Sequence, residues 1–337
     1  MTASNRREVV EAVWVAIKGG ASQESCCHLL SLCERRLQRW RMEPCDKRTG
    51  GYRAKGQSLS VPELEAAAAL IRKAQETLKP LRCIYAEELD VGRYTCSPAS
   101  LYRIRNRIIP VASRPPLMRK RPRRRELKAE LVNSVWCWDI TPMRLRIGGR
   151  FCYFYAFMDL YSRKLVAWTV EIREDGLLAR DVLADAIAKW ISDPSLLTLH
   201  SDNGSPMKHA DLMEMLKQLK VQVTRSRPHV SDDNAFIESL FATFKSRMAY
   251  PESFGSLDEA RAFCAEFVSW YNTSHRHSSL DSLTPDEVFT GQAERIQSQR
   301  NQVLAMAHLR NPNRFGSRRK SFKIPGPAKL RWALKKD

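Results

Sequence analysis

The order of secondary-structure signals in the centre of this 337-residue sequence constrains its fold more than any other feature. Three β-prone runs come first, with the hairpin signal Gly148-Gly149 between the first two, and two shorter β-prone runs then alternate with helical patterns. The β-prone runs span residues 135–141, 150–160, 164–172, 196–200 and 221–224, and the helical patterns span 177–191, 207–219, 234–248 and 257–271. This order predicts a mixed sheet with helices packed against it.

The order β-β-β-α-β-α-β-α-α is that of the ribonuclease-H-like fold. We therefore predict an α/β core over residues 130–292, built on a mixed five-stranded sheet flanked by helices. Two all-α modules, at residues 1–58 and 59–110, are expected to precede it. A basic linker over residues 111–129 and a basic C-terminal tail over residues 293–337 complete the predicted organisation.

The first all-α module has the layout of a helix-turn-helix. Apolar residues at helical spacing end at Gly19-Gly20, Ser22 can cap a short second helix, and residues 34–41 form a third helix with Leu37 and Trp40 inward. The last helix of a helix-turn-helix enters the major groove of DNA, so this module is predicted to bind DNA. A purely structural three-helix unit with a solvated basic face is the alternative.

The second all-α module repeats this layout. Ser60 begins a helix with a capping box, and Ser97-Pro98 places a cap before a proline at the first helical position. Three arginines decorate the helix that follows, so two such modules in tandem could read a longer DNA site than one.

Charge is segregated along the chain. The sequence has 56 Lys+Arg and 37 Asp+Glu, a net charge of +19, of which residues 1–130 carry +13, residues 131–290 carry −4 and residues 291–337 carry +10. Basic arms around a slightly acidic centre indicate a polyanionic partner, most simply nucleic acid. The tail from Asn311 has no long periodic stretch, and we expect it to be partly disordered on its own.

Two further observations limit the class of protein. No apolar run approaches the roughly 18 residues that a membrane helix needs, so no membrane partner is expected. The nine cysteines form no C-x-x-C pair and no regular framework, which is typical of reduced thiols in a cytoplasmic protein.

Three carboxylates fall where an α/β sheet would place its chemistry. Asp139 is predicted at the end of the first strand, Asp202 just past the fourth, and Glu238 one turn into the helix after residue 234. Three oxygen ligands in a small space suit Mg²⁺, and two ions about 3.5–4 Å apart can activate a nucleophile and stabilise a leaving oxygen. His200, beside Asp202, is interpreted as a positioning residue because this scheme needs no histidine. Each carboxylate taken alone could equally be a surface residue or a helix cap.

Longer strings around these carboxylates resemble the D,D-35-E signature of retroviral-integrase-like transposases, and most closely that of the second-reading-frame (OrfB) transposases of bacterial insertion sequences of the IS3 family. The strings are Trp138-Asp139-Ile140-Thr141, His200-Ser201-Asp202-Asn203-Gly204-Ser205, and residues 231–241 followed by Lys245. Three further strings are similar to the end of the family's catalytic core: Trp270-Tyr271-Asn272, His275-Arg276-His277 and Thr284-Pro285. Residues 37–41 and 97–107 resemble the two helix-turn-helix modules of some family members. The resemblance covers roughly residues 27–325.

The resemblance implies a DNA transposase or integrase that binds element ends and target DNA and catalyses strand cleavage and strand transfer with Mg²⁺ (or Mn²⁺). Asp139, Asp202 and Glu238 would be both catalytic and metal-binding. The protein would act as a homo-oligomer on double-stranded DNA, in the cytoplasm of a bacterium and associated with the nucleoid. Lys245 would contact DNA near the metals, because seven residues place it on the face of Glu238, about 10 Å further along a helix.

The remaining residues expected to contact DNA are arginines of the two helix-turn-helix modules and of the linker, and the sequence does not separate base contacts from phosphate contacts. They are Arg35, Arg36, Arg39, Arg41, Arg103, Arg105, Arg107, Arg123, Arg124 and Arg125. Two alternative functions stay open at this point. One is a ribonuclease-H-like nuclease without strand transfer, and the other is a catalytically silent DNA-binding regulator.

Overall fold

The computed structural model describes residues 3–42, 59–109, 124–146, 148–226, 234–246, 249–315 and 321–333. The chain divides into two compact units, one of Met1–Ser60 with Asn311–Ser317 and one of Val61–Arg310 with Arg318–Asp337. Among the described helices, none combines the length and the apolar character needed to cross a membrane.

Within the described residues of the first unit, three helices stand at the positions predicted for the first all-α module. They are α1 (Ala3–Lys18), α2 (Gln23–Leu29) and α3 (Glu34–Met42). The Ser22 hydroxyl caps α2 by accepting a hydrogen bond from the Ser25 amide. Leu37 and Trp40 are buried, as expected. Ser31, in the turn before α3, adopts a left-handed φ of 50°, a conformation that glycine adopts more readily.

The second unit begins with α4 (Val61–Glu76), α5 (Leu81–Asp90) and α6 (Pro98–Ile108). The Ser97 hydroxyl accepts from the Ser100 amide and Pro98 is the first helical residue, so the predicted start of the last helix is confirmed. Ile84, Leu89 and Leu101 form the buried centre of these helices.

Among its described residues, the rest of the second unit supplies seven strands and six α-helices. The strands are β1 (Arg124–Ala129), β2 (Val135–Arg144), β3 (Phe151–Asp159), β4 (Leu165–Glu171), β5 (Thr198–Ser201), β6 (Gln222–Arg225) and β7 (Ala328–Ala333). The helices are α7 (Gly176–Trp190), α8 (Ala210–Gln218), α9 (Ala235–Lys245), α10 (Leu257–Thr273), α11 (Pro285–Phe289) and α12 (Ala293–Arg310).

Five of these strands form the predicted mixed sheet, in the order β4-β3-β2-β5-β6. The pairs β4/β3 and β3/β2 are antiparallel, whereas β2/β5 and β5/β6 are parallel. This is the ribonuclease-H-like α/β arrangement expected from the element order, and β2, which carries Asp139, lies at its centre.

Alternation along the strands builds a different core on each face of the sheet. Trp136 and Trp138 of β2 pack on the face covered by α7 and α8. Cys137 of β2 and Ala156 of β3 belong to the opposite core, which α9 and α10 cover. Asp139 follows Cys137 by two residues and pairs with Ala156, so it belongs to the α9 face.

Two segments expected to be irregular form regular structure instead. The predicted linker ends in β1, and the predicted tail contains both α12 and β7, which pairs antiparallel with β1. Leu330 and Ala328 of β7 are buried in the core on the α9 face, and this burial orders a segment whose sequence is too short and too basic to predict a strand. The domain boundaries given above stay a prediction.

Candidate active site

Asp139 lies within a strand rather than at its end, which corrects our expectation. A proline favours the end of a strand, but β2 continues to Arg144 and Pro142 pairs with Tyr153 of β3. Proline is tolerated there because β5 pairs with β2 over Val135–Cys137 and not beside Pro142.

The register between β2 and β5 brings Asp139 and Asp202 to equivalent positions. Cys137 pairs with His200 in the parallel ladder, and each aspartate lies two residues further along its own segment. Neighbouring strands are about 4.8 Å apart and residues two apart share a face. Asp139 and Asp202 are therefore neighbours at the point where the chain leaves β5.

Glu238 reaches the same region from α9. It lies in the first turn of that helix, and Ile237, Leu240 and Phe244 anchor the helix in the core on the Asp139 face. Asn234, directly before the helix, is 3% exposed, and its Nδ2 donates to the Trp138 carbonyl oxygen at 3.3 Å. This hydrogen bond ties the start of α9 to the residue next to Asp139.

The electrostatics of Asp139 show that the three carboxylates act on one another. The pKa of Asp139 is raised to about 7, mainly by burial and further by the negative charges of Asp202, Glu238 and Glu174, while the Ile140 amide opposes the rise by donating to its carboxylate. A pKa raised by burial and by two like charges is typical of a functional site.

The loop after β5 holds Asp202 by a tight turn. Its Oδ1 accepts a hydrogen bond from the Gly204 amide at 2.9 Å. A Cβ atom on Gly204 would stand 2.9 Å from the Met207 sulfur and 3.1 Å from that same Oδ1, so a larger residue here would displace one or both of these side chains. Asn203 donates from its side chain to the Ser226 carbonyl oxygen, which fixes the loop to the residue after β6.

The chemistry of this donor set fits a divalent cation. Three carboxylates whose mutual repulsion raises the pKa of Asp139 are hard oxygen donors, and a cation would relieve that repulsion. Within the part of the chain that the structure describes, however, no three Asp, Glu, His or Cys side chains already stand at metal-binding distances. The described geometry thus brings the three residues into electrostatic range without completing a coordination shell.

His200 has the positioning character inferred from the sequence. It is fully buried, its Nδ1 shares a hydrogen bond with Thr224 Oγ1 at 2.9 Å, and its Nε2 lies 3.4 Å from Ser226 Oγ. Both ring nitrogens are thus directed at the β6 side of the sheet, where they hold β5 in register two residues before Asp202.

Sequence reasoning missed two residues that support the site. Asn234 could have been found as the residue that begins α9. Arg163, at a left-handed φ of 68° in the β3–β4 turn, places its buried guanidinium 3.8 Å from the centre of the Phe236 ring, under the first turn of α9. No local signal identifies Arg163, because its partner is 73 positions away.

The residues predicted to contact DNA occupy several surfaces. Lys245 is the exposed last residue of α9. On α3, three of the predicted arginines are exposed and free of the core, while Arg41, also exposed, stacks 4.6 Å from the centre of the Trp14 ring. The three exposed arginines are Arg35, Arg36 and Arg39.

The α6 arginines differ in how they are held. Arg103 donates to Ala99 and Ser100 of its own helix, and Arg105 lies 5.0 Å from the centre of the Tyr102 ring. Arg107 is exposed. The prediction for Arg123 lies outside the described residues. Arg124 and Arg125 are in β1, and their side chains are likewise outside the description.

Comparisons with known proteins place this core in a family. The integrase core domain family matches residues 129–231, and a second family of the same description matches residues 219–285. The transposase of insertion sequence element IS904 from Lactococcus lactis subsp. lactis is 30% identical over 198 residues, which are 58% of this chain and 75% of that protein.

Two transposases of Escherichia coli K12 are also similar. The InsF transposase of insertion sequence IS3A is 30% identical over 46% of this chain and 53% of its own length. The putative transposase InsK of element IS150 is 27% identical over 48% of this chain and 56% of its own length. The chain thus spans about half the length of these two relatives.

Solved structures of viral integrases are similar at lower identity. The simian T-cell lymphotropic virus intasome, in complex with the PP2A regulatory subunit B56 gamma, matches 65% of this chain and 74% of its own with a TM-score of 0.40 and 16% identity. The HTLV-2 integrase catalytic core domain, solved with magnesium, matches 47% of this chain and 97% of its own with a TM-score of 0.35 and 13% identity.

Proposed function

The chain belongs to the IS3 family of insertion-sequence transposases with an integrase-like core, and from this premise we propose that Asp139, Asp202 and Glu238 are its catalytic residues. The protein is a DDE-type transposase of DNA transposition and integration. The proposed activity is strand cleavage at the element ends, followed by transfer of those ends into target DNA.

One observation carries the assignment of these three residues. The half-buried Asp139 has its pKa raised to about 7, mainly by desolvation and with Asp202 and Glu238 among the further causes, so the three carboxylates share one electrostatic environment. The parallel register of β2 and β5 and the hydrogen bond that ties the start of α9 to β2 support this assignment, because these elements carry or adjoin the three residues.

The reaction uses a divalent metal cation, and we propose Mg²⁺ (or Mn²⁺) held by Asp139, Asp202 and Glu238 in a two-metal arrangement. When bound, the metal lowers the pKa of a nucleophilic oxygen and neutralises charge on the phosphate and the leaving oxygen. The protein contributes position: Gly204 holds the Asp202 carboxylate through its amide, and Asn234 fixes the helix of Glu238 to β2. Phosphoryl transfer requires mainly such positioning and charge neutralisation.

The proposed DNA contacts are basic side chains of α3, α6 and α9. We propose that α3 and α6 contact the element ends through their arginines and that Lys245 contacts a phosphate near the triad. Both ends of an element must be held together for transfer, which requires a homo-oligomer on DNA. Residence at the nucleoid would follow from that binding.

A strand-transfer assay on labelled element-end DNA with Mg²⁺ tests the proposed function. Wild type should give joined products, and Asp139→Asn should give none while still retarding the DNA in a gel. Asp185→Asn, at an exposed position on α7, is the matched control and should keep wild-type joining. Cleavage without joining by wild type would favour a nuclease, and tight binding with no metal-dependent chemistry would favour a silent regulator.

A further inference from the structure

A buried ionic cluster connects the second helix-turn-helix to the catalytic core. Asp90, the last residue of α5, accepts two hydrogen bonds from Arg300 of α12, with Nε–Oδ1 at 2.6 Å and Nη2–Oδ2 at 3.0 Å. Arg276, three residues after α10, donates from Nη2 to the same Oδ2 at 2.8 Å. One carboxylate of the helix-turn-helix therefore binds two guanidiniums of the segment that follows the core sheet.

The segment between α10 and α11 completes the surroundings of the two guanidiniums. Ser282 offers its carbonyl oxygen to Arg276 at 2.9 Å and to Arg300 at 3.3 Å. Asp281 and Ser282 both have left-handed φ angles, of 51° and 66°, which turn the backbone toward the cluster. The Asp281 side chain also binds Arg82 of α5 at 2.7 Å. Each of the two segments, α5 and this turn, therefore offers a carboxylate to a guanidinium of the other.

The energetics of this cluster favour a single relative position of α5 and α12. Arg300 has no exposed side-chain surface, and a guanidinium removed from water is costly unless nearly every donor is satisfied. Two parallel hydrogen bonds to one carboxylate fix orientation as well as distance. A purely apolar contact between α5 and α12 could slide, whereas this cluster is satisfied only when the two helices keep one relative position.

The chain returns over the same junction after α12. Phe322 lies 5.2 Å from the Arg300 guanidinium and stacks on Tyr85 of α5, while Asn301 accepts from its amide at 2.8 Å and donates to its carbonyl oxygen at 3.0 Å. Three residues later, the Pro325 carbonyl oxygen accepts from Tyr161, which packs against the core of the sheet. The junction is thus covered by a strap that continues into β7.

We infer that Asp90, together with Arg276 and Arg300, is a positioning device that sets where DNA is cut. It holds α4–α6 and the catalytic core in one orientation, so the distance along DNA between the stretch contacted by α6 and the phosphodiester at the Asp139 site is fixed. The inference rests on the proposed function. Asp90 acts through position alone, and it is not one of the catalytic residues.

Mapping the cut on element-end DNA with inserted base pairs tests this inference in the full-length protein. One to several base pairs are inserted between the protected footprint and the element terminus. Wild type should cut at one position that stays at a constant distance from the footprint. Asp90→Asn, which keeps the shape of the side chain, should bind the end as wild type does but spread its cuts over several neighbouring phosphodiesters.

Two further variants separate positioning from general stability. Glu87→Gln lies on the same helix and removes only the exposed ion pair with Lys79, so it should keep a single cut. Arg276→Lys keeps a positive charge but loses the planar fork, and it should broaden the cut even if Asp90→Asn fails to fold. Hydrogen exchange should accelerate in residues 81–90 and 276–283 of Asp90→Asn and stay unchanged in β3.

The outcomes distinguish this inference from the proposed function. A single sharp cut by both Asp90→Asn and Arg276→Lys would overturn the inference alone, as would a wild-type cut that stays at the terminus whatever the insertion. Unchanged exchange in residues 81–90 of Asp90→Asn would also overturn it. Absence of cutting by wild type on every substrate would overturn the proposed function and this inference with it.

Discussion

Asn234 donates a hydrogen bond from its side-chain amide to the carbonyl oxygen of Trp138 at 3.3 Å, and this contact joins the first turn of α9 to the strand that carries Asp139. The three carboxylates proposed to be catalytic come from a strand, a loop and a helix that are far apart in sequence. Their relative positions depend on cross-connections such as this one between β2 and the start of α9.

Replacing Asn234 by Ala should therefore impair the chemistry more than DNA binding. Without the hydrogen bond, α9 and Glu238 can shift relative to Asp139, and a misplacement of about 1 Å can reduce a catalytic rate by about 100-fold. Single-turnover cleavage on element-end DNA measures the effect, with gel retardation as the binding readout. Ser239→Ala, on the exposed face of the same helix, should leave both unchanged.

Asp139→Asn should stabilise the protein against heat when metal is absent and the pH is high. The pKa of Asp139 is about 7 in the folded state, whereas an ordinary aspartate, as in the unfolded chain, has a pKa of about 3.8. Between these values the folded state keeps a proton that the unfolded state releases. Stability therefore falls as pH rises between these values. The full loss of unfolding free energy, on the order of a few kcal/mol, is present above pH 7 and absent near pH 3.

Thermal unfolding of wild type and Asp139→Asn at pH 4 and pH 8, with a chelator, measures this effect. The gain in Tm of the variant should be larger at pH 8 than at pH 4. Mg²⁺ should then stabilise wild type and not the variant. An equal gain at both pH values would show that the carboxylate is not held protonated by burial and by Asp202 and Glu238.

Gly204→Ala should damage the site through crowding. The new Cβ would lie 2.9 Å from the Met207 sulfur and 3.1 Å from Asp202 Oδ1, so the Met207 side chain and the Asp202 carboxylate must both give way. We expect a loss of strand cleavage of about 10-fold or more, with little loss of DNA binding. Gly326→Ala, where a Cβ meets no heavy atom within 4 Å, is the control and should cleave normally.

Lys245→Ala should weaken DNA binding without lowering the stability of the fold. The side chain is exposed at the end of α9, so its loss should leave Tm unchanged. Loss of one phosphate contact should reduce the slope of log affinity against log salt by about one. Titrations of element-end DNA at several salt concentrations measure that slope, and Lys217→Ala, exposed on α8, should keep the wild-type value.

Much of the fold could be predicted because its signals are local. Ser22 and Ser97 cap the helices that they precede in the sequence, and β-prone composition with a glycine turn signal identified the strands of the central sheet. Asp202 and Glu238 could be placed for the same reason, since each follows a recognisable element boundary. The prediction that Asp139 lies at a strand end is wrong because a proline such as Pro142 usually marks the end of a strand. In this protein, pairing with β3 continues the strand past the proline.

The features that could not be predicted depend on partners far along the chain. Arg124 of β1 pairs with Ala333 of β7, and neither segment has enough apolar character to predict a strand alone. Asp90 and Arg300 are 210 positions apart, and an isolated Asp or Arg in a basic sequence is indistinguishable from a solvated side chain. Such long-range contacts decide how α5 and the segment after the core sheet are joined.

Joining of pre-cleaved element ends by the three single variants Asp139→Asn, Asp202→Asn and Glu238→Gln tests the central claim most directly. The substrate already carries the exposed 3′ end, so the assay isolates strand transfer in the presence of Mg²⁺. Each variant should bind the end as wild type does and give joined product only at background level. Joining near the wild-type rate by any one of the three would contradict the assignment of a shared D,D,E site.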